Sequence, residues 1–185
     1  MATTTWNIDT THSGIHFSVR HMVVAKVRGS FKAFSGSVQL DPQSPAGASV
    51  SARIETASID TGVEQRDGHL KSPDFFDVAK FPALTFQSTK VEPAGGSNLR
   101  VTGNLTIRDI TRPIVLEVEQ LGVAKDPWGQ QRAAFEAKTS LDRREFGLTW
   151  NQVLETGGVM VGDRIKGPVA ERSGIRRNPT MSSVS

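Results

Sequence analysis

The chain's hydrophobic pattern is first clear at Ile15, where Ile15, Phe17 and Val19 alternate with His16, Ser18 and Arg20. Alternation with a period of two puts every second side chain on one face, which predicts a half-buried strand. Beyond Arg20 the alternation stops. Met22, Val23, Val24 and Val27 fall at helix-like spacing, in a run too short for an independent helix and closed by Gly29. The spacing predicts a short helical corner, apolar with basic flanks, followed by an extended stretch from Phe31 to Leu40 that Gly36 interrupts.

Further strands follow from the same pattern. Trp6 to Asp9 is a short entry strand, and Ser49 to Ile59 places Val50, Ala52 and Ile54 on one face. Leu84 to Val91 is another. Leu99 to Ile107 alternates most cleanly, with Leu99, Val101, Gly103, Leu105 and Ile107 on one face and Arg100, Thr102, Asn104, Thr106 and Arg108 on the other. Pro113 to Ala124 and Gln131 to Leu141 join through Asp126-Pro-Trp-Gly129, and Val159 to Lys166 is the last. Turn residues separate them: Asp41-Pro-Gln-Ser-Pro-Ala-Gly47, Pro93-Ala-Gly-Gly-Ser97 and Asp109 to Arg112.

Residues 60–83 differ. Thr61 to Lys71 reads as a short helix with polar faces, and Asp74 to Pro82 carries three phenylalanines. A long connection with its own aromatics packs as a cap. About eight antiparallel strands with little helix predict an all-β sandwich or closed barrel. Eight strands leave an interior for packed side chains or for one small ligand.

Composition narrows the chemistry. At 185 residues the chain is one domain, long enough for a sizeable core. Without cysteine it has neither a disulfide framework nor a thiolate. The start, Met-Ala-Thr-Thr-Thr-Trp6, lacks the basic and apolar regions of a signal peptide. No apolar run reaches the roughly 20 residues of a membrane span. The net charge of +3 includes +2 from residues 167–185, where Arg172, Arg176 and Arg177 face one Glu171. No basic stripe interleaved with aromatics appears, so no nucleic-acid partner is expected.

His12, His16 and His21 invite a metal reading, but His21 breaks their strand parity and no carboxylate stands at ligand spacing. Asp67, His69, Asp74 and Asp77 lack the spacing of a calcium loop and read as a solvated helix and its cap. No metal and no cofactor is expected. Nucleophile-elbow and phosphate-cradle motifs are absent.

Five ordered motifs remain. They are Ser18-Val-Arg-His-Met22 with Lys26-Val-Arg-Gly-Ser-Phe31; Asp74-Phe-Phe-Asp77 with Lys80-Phe-Pro82; Gly103-Asn-Leu-Thr-Ile107 with Thr111-Arg-Pro113; Gly122-Val-Ala-Lys-Asp-Pro-Trp-Gly129; and Arg143 to Asn151, containing Phe146-Gly-Leu-Thr-Trp150. Together they resemble the YceI-like family of lipid-binding proteins from Trp6 to about Lys166. The resemblance implies an extended, antiparallel, eight-stranded lipocalin-like barrel with short helical segments, occupying residues 1–166. It implies an interior that holds a long-chain amphiphile of the polyisoprenoid class, for sequestration or transport and without catalysis. Family members occur in periplasmic and cytoplasmic forms, and without a signal peptide the resemblance implies the cytoplasmic one. It also allows a homodimer, whose interface no stripe of the sequence specifies.

On base rates alone the aromatic set is core; the resemblance turns it toward a ligand. The residues then expected to meet the ligand are Phe17, Val19, Arg20, His21, Met22, Phe31, Phe34, Phe76, Phe81, Phe86, Val101, Gly103, Leu105, Trp128, Phe135 and Trp150. Arg20 and His21, with Lys26 and Arg28, are the candidates for a polar head group. Two rivals stand beside this reading: an enzyme using the same cavity on a lipid or quinone, and a structural protein with a filled core. The sequence departs from the family at its end. Gly167-Pro168 is a strand breaker, so residues 167–185 are expected to form a divergent, irregular tail.

Overall fold

The structure, a computed structural model, describes residues 3–22, 25–41, 43–152, 154, 160–166 and 170–177. Thirteen strands and one α-helix account for most of them. In chain order they are β1 (Thr4–Asp9), β2 (Ile15–His21), β3 (Ala25–Phe31), β4 (Phe34–Leu40), β5 (Ser49–Glu55), β6 (Ile59–Asp60), α1 (Glu64–Lys71), β7 (Ala83–Pro93), β8 (Asn98–Ile107), β9 (Ile110–Lys125), β10 (Gln131–Lys138), β11 (Ser140–Asp142), β12 (Val161–Lys166) and β13 (Ala170–Arg177).

Eight of the strands close a barrel in the order β1, β13, β10, β9, β8, β7, β5, β4, with β4 pairing back to β1. Every pair is antiparallel. Closure leaves no free sheet edge in the barrel. The other five strands form a second antiparallel sheet, β11-β12-β2-β3-β6. The expected eight-stranded lipocalin-like barrel is therefore present, and a five-stranded sheet accompanies it. Period-two alternation assigns a residue to a face but not to a sheet, so the second sheet had no separate signal.

Two expectations are corrected. The stretch from Arg20 to Arg28 is a β-hairpin: His21 pairs with Ala25, Arg20 with Lys26, and Phe17 with Gly29. Val23 and Val24 lie outside the described residues. Gly29 does not end an element but sits within β3, where the ring of Phe17 lies 2.4 Å from the position a β-carbon would take. The glycine admits the ring of its cross-strand partner. Second, residues 170–177 of the expected irregular tail are regular. Ala170–Arg177 is β13, paired on one side with β1 and on the other with β10. A strand bonded along both edges needs little hydrophobic alternation, and β13 is anchored by one deeply buried side chain, Ile175. Residues 167–169 and 178–185 lie outside the described residues.

Two apolar clusters fill the molecule. The larger unites Phe31, Ile59, Leu84, Phe86, Val91, Leu99, Val101, Leu105, Ile107, Phe146 and Leu148. The smaller packs Trp6, Leu40, Ala133 and Ile175. Strand directions put the smaller cluster toward the barrel end that carries the start of β1, the end of β4 and the β9–β10 turn. The opposite end carries α1, the 72–82 connection and the second sheet, since all follow strands that run that way.

Candidate functional site: an apolar cavity

A cavity of about 350 Å³ lies inside the barrel and runs under the second sheet and the cap. That volume falls in the ordinary range of small-molecule sites. Its walls follow from strand parity. β8 turns Leu99, Val101, Leu105 and Ile107 inward, β9 turns Ile114, Leu116 and Val118, and β5 turns Val50, Ala52 and Ile54. The second sheet contributes Phe17, Val19, Phe31, Val161 and Ile165, and the cap contributes Leu70, Phe75 and Phe76. The Phe17 and Phe31 rings lie 5.6 Å apart, and Phe76 meets Phe31 edge-on at 5.9 Å. Outside the barrel, a larger open groove between β4, β5, β7 and β8 is lined by Ser35, Ser37, Ser51, Gln87 and Asn104. It encloses nothing, and its Arg53 is tied to Glu55 at 2.9 Å.

Three polar side chains reach the apolar cavity: His16, Thr139 and Arg143. The Thr139 hydroxyl donates to the Val115 carbonyl at 2.9 Å. Arg143, only 3% exposed, is spent on backbone. Its Nε donates to the Gly162 carbonyl at 2.9 Å; its Nη1 donates to the carbonyls of Leu148 at 2.5 Å and Trp150 at 2.9 Å. Burial pulls its pKa down, opposed by the Asp163 carboxylate 3.6 Å from Nη2. A guanidinium fork holding several carbonyls fixes the 148–150 segment to β12 and forms one wall of the cavity. His16 makes no hydrogen bond among the described residues.

The cap is held by aromatics. His69 meets Trp150 edge-on at 4.5 Å and Phe75 at 5.1 Å, and Phe75 lies 5.5 Å from Trp150. His69 Nε2 also contacts the Asp74 carboxylate at 2.9 Å. The acidic cluster seen in the sequence is thus distributed: Asp74 holds His69, while Asp67 accepts from the Thr61 amide and hydroxyl. Among the described residues, no three of His, Asp and Glu converge as a metal site.

Of the residues expected to meet a ligand, Phe17, Val19, Phe31, Phe34, Phe76, Phe86, Val101, Leu105 and Phe135 line the cavity. Arg20, His21, Met22, Phe81, Gly103, Trp128 and Trp150 do not. Trp128 is 86% exposed at the β9–β10 turn. Trp150 packs edge-on against His69 of the cap, and the Phe81 ring faces the cations of Lys80 and Arg108 at 5.4 and 5.6 Å. Arg20 and Met22 are exposed on the β2–β3 hairpin. Gly103 opens no ligand space, because the Phe86 ring occupies the place of its missing side chain. Sequence reading missed Leu70, His16 and Arg143, and also the inward row Ile114, Leu116 and Val118, whose alternation was legible.

A profile of the YceI-like domain matches residues 6–166, most of the chain. The chain belongs to the YceI-like family. The YceI protein of Salmonella newport is 40% identical over 138 residues, covering 75% of this chain and 72% of its own length. Among solved structures, BcnA of Burkholderia cenocepacia superposes with a TM-score of 0.73 at 26% identity, over 92% of this chain and 98% of its own. A polyisoprenoid-binding domain from Saccharophagus degradans shares the fold, with a TM-score of 0.66 at 16% identity over 94% and 98% of the two chains. No helix among the described residues is long and apolar enough to cross a membrane.

Proposed function

We propose that this YceI-like chain binds a long-chain amphiphilic lipid, of the polyisoprenoid class, in the barrel interior and holds it for sequestration or transfer. The carrying observation is the cavity: enclosed by two sheets and a cap, and lined by aliphatic and aromatic side chains apart from His16, Thr139 and Arg143. Burial of apolar chain contributes about 0.8 kcal/mol per CH₂. A prenyl chain of a few units is therefore held without any specific polar anchor. The Saccharophagus degradans domain, named for polyisoprenoid binding, supports the reading as a use to which this fold is put.

His16 is the lining group left to meet a polar head, since Thr139 and Arg143 are committed to backbone carbonyls. A catalytic reading would rest on the same imidazole, with no second group beside it to share proton transfer. Binding therefore has the stronger support. The experiment is organic extraction of the purified protein, followed by mass spectrometry, on wild type and on Val101→Phe, which fills the cavity from β8. We expect a prenyl-chain lipid from wild type and little from the variant. Wild-type protein that yields no lipid and takes up none when supplied with a prenyl alcohol would sink the proposal.

A further inference from the structure

The β2–β3 hairpin has two unlike faces. One sends Phe17 and Val19 into the cavity. The other is solvent-facing and cationic. Arg20 stands directly opposite Lys26, and Arg28 lies one step along opposite Ser18, diagonal to Arg20. All three cations are exposed, and none has a carboxylate partner among the described residues. Like charges paired across strands destabilise a sheet.

The nearby acids are engaged elsewhere. Asp142 is held by Arg144 at 2.8 Å, and Asp163 lies 3.5 Å from Arg144 and 3.6 Å from Arg143. Asp60 accepts from the Gly62 amide at 2.8 Å. Arg164, exposed on the adjoining β12, adds positive potential on the same side by strand parity, although it also feels Asp142. At the end of β2, Met22 is 47% exposed, a large apolar side chain beside the cations.

We infer that this face docks the barrel on a phospholipid bilayer rich in anionic head groups. The inference rests on the lipid-binding reading, because a cavity that takes a water-insoluble chain must meet the phase that supplies it. Three points favour a bilayer over other polyanions. The charge is complementary, Met22 supplies an apolar contact, and the docking row is continuous with the cavity wall, Val19 and Arg20 being consecutive residues. A nucleic-acid face would interleave aromatics for stacking; Arg20, Met22, Lys26 and Arg28 include none.

The test is co-sedimentation of the full chain with phosphatidylcholine vesicles, with and without phosphatidylglycerol. Each cation near an anionic surface strengthens partitioning several-fold. The triple variant Arg20→Gln, Lys26→Gln, Arg28→Gln should therefore lose on the order of a hundredfold in partitioning. Wild-type binding should weaken in high salt. A control that removes exposed cations elsewhere, Arg112→Gln with Lys125→Gln, should bind as wild type does. Melting temperature is measured in parallel, and relief of the Arg20–Lys26 opposition should leave the triple variant at least as stable as wild type. Equal binding to neutral and anionic vesicles, unimpaired binding by the triple variant, or tighter binding to a single-stranded oligonucleotide than to the vesicles would overturn the inference. Vesicle binding that persists in a protein yielding no lipid on extraction would count against the cavity reading and leave the docking face standing.

Discussion

The ring of Phe86 lies where a side chain at residue 103 would have to go: its Cζ is 2.4 Å, and its Cε2 2.6 Å, from an ideal β-carbon on Gly103. The Gln87 carbonyl is 2.7 Å from the same point, so a side chain there presses on backbone as well as on the ring, and only the ring has cavity space beside it. Glycine in β8 thus lets a cavity-lining ring of β7 lie flat against its neighbour strand. Gly103→Ala should overpack this contact and cost about 1–3 kcal/mol. It should also drive the Phe86 ring toward the cavity and reduce co-purified lipid. In a double-mutant cycle with Phe86→Leu, part of the loss should be recovered, since the two positions share one volume. Strictly additive denaturant midpoints would show that the contact is not coupled.

How much of this was legible in the sequence depended on the range of the cause. The β8 alternation is local, and Leu99, Val101, Leu105 and Ile107 are all buried as their parity requires. The family motifs also identified the barrel. The β2–β3 hairpin was misread because Met22, Val23, Val24 and Val27 mimic helical spacing, and because the turn uses no glycine: Met22 itself takes a φ of 52°. β13 was illegible because its order comes from backbone pairing on both edges, which no residue pattern of its own announces. Arg143 sits between two ordinary charged residues, and its burial arises from carbonyls that the fold gathers around it. The sequence offers Arg20, Lys26 and Arg28 as head-group candidates, but the pairing of β2 with β3 shows that they point away from the cavity.

The Arg143 clamp should resist conservative replacement. Arg143→Met leaves the carbonyls of Leu148, Trp150 and Gly162 without their donors. A buried acceptor left without its donor costs about 1–3 kcal/mol, so with three carbonyls affected the variant should lose at least that much. Lysine has no planar fork and cannot reach three carbonyls on two segments at once, so Arg143→Lys should recover less than half of that loss. Urea unfolding of the three proteins reads the difference. A lysine variant as stable as wild type would show that charge, not fork geometry, holds the segment.

Asp142 caps the 3-10 turn at 143–146. Its carboxylate accepts from the Arg144 side chain at 3.0 and 2.8 Å and from the Arg144 amide at 3.0 Å. The Arg144 side-chain bond, then the amide bond, holds its pKa down to about 2 from the ordinary 3.8. A depressed carboxyl contributes stability that is fully present above its unfolded value and is lost as pH falls through the folded one. The contribution should thus be intact above about pH 3.8 and disappear as pH approaches 2. Carbon-detected NMR titration of the Asp142 carboxyl should show the low midpoint, and Arg144→Gln should move it upward. An unshifted midpoint in wild type would refute the pairing.

Trp6 closes one end of the barrel, fully buried against Leu40, Ala133 and Ile175, and its indole N–H finds no acceptor among the described residues. A buried donor without a partner costs about 1–3 kcal/mol. Phenylalanine removes that donor and leaves a void, penalised at about 24 cal/mol per Å³, or roughly 1 kcal/mol for a gap near 40 Å³. The two effects oppose each other, so Trp6→Phe should lie within about 1 kcal/mol of wild type, whereas Trp6→Ala should lose about 3–5 kcal/mol. The plug also bears on ligand length. Leu40 and Ile175 touch Trp6 on one side and line the cavity on the other. Trp6→Ala should therefore lengthen the space available, and the lipids extracted from it should shift toward longer chains. Denaturant midpoints and the mass spectrum of the extract are measured on the same preparations. A phenylalanine variant as unstable as the alanine one would mean that the indole N–H is satisfied after all, and an unchanged chain-length distribution in Trp6→Ala would mean that the cavity ends short of the plug.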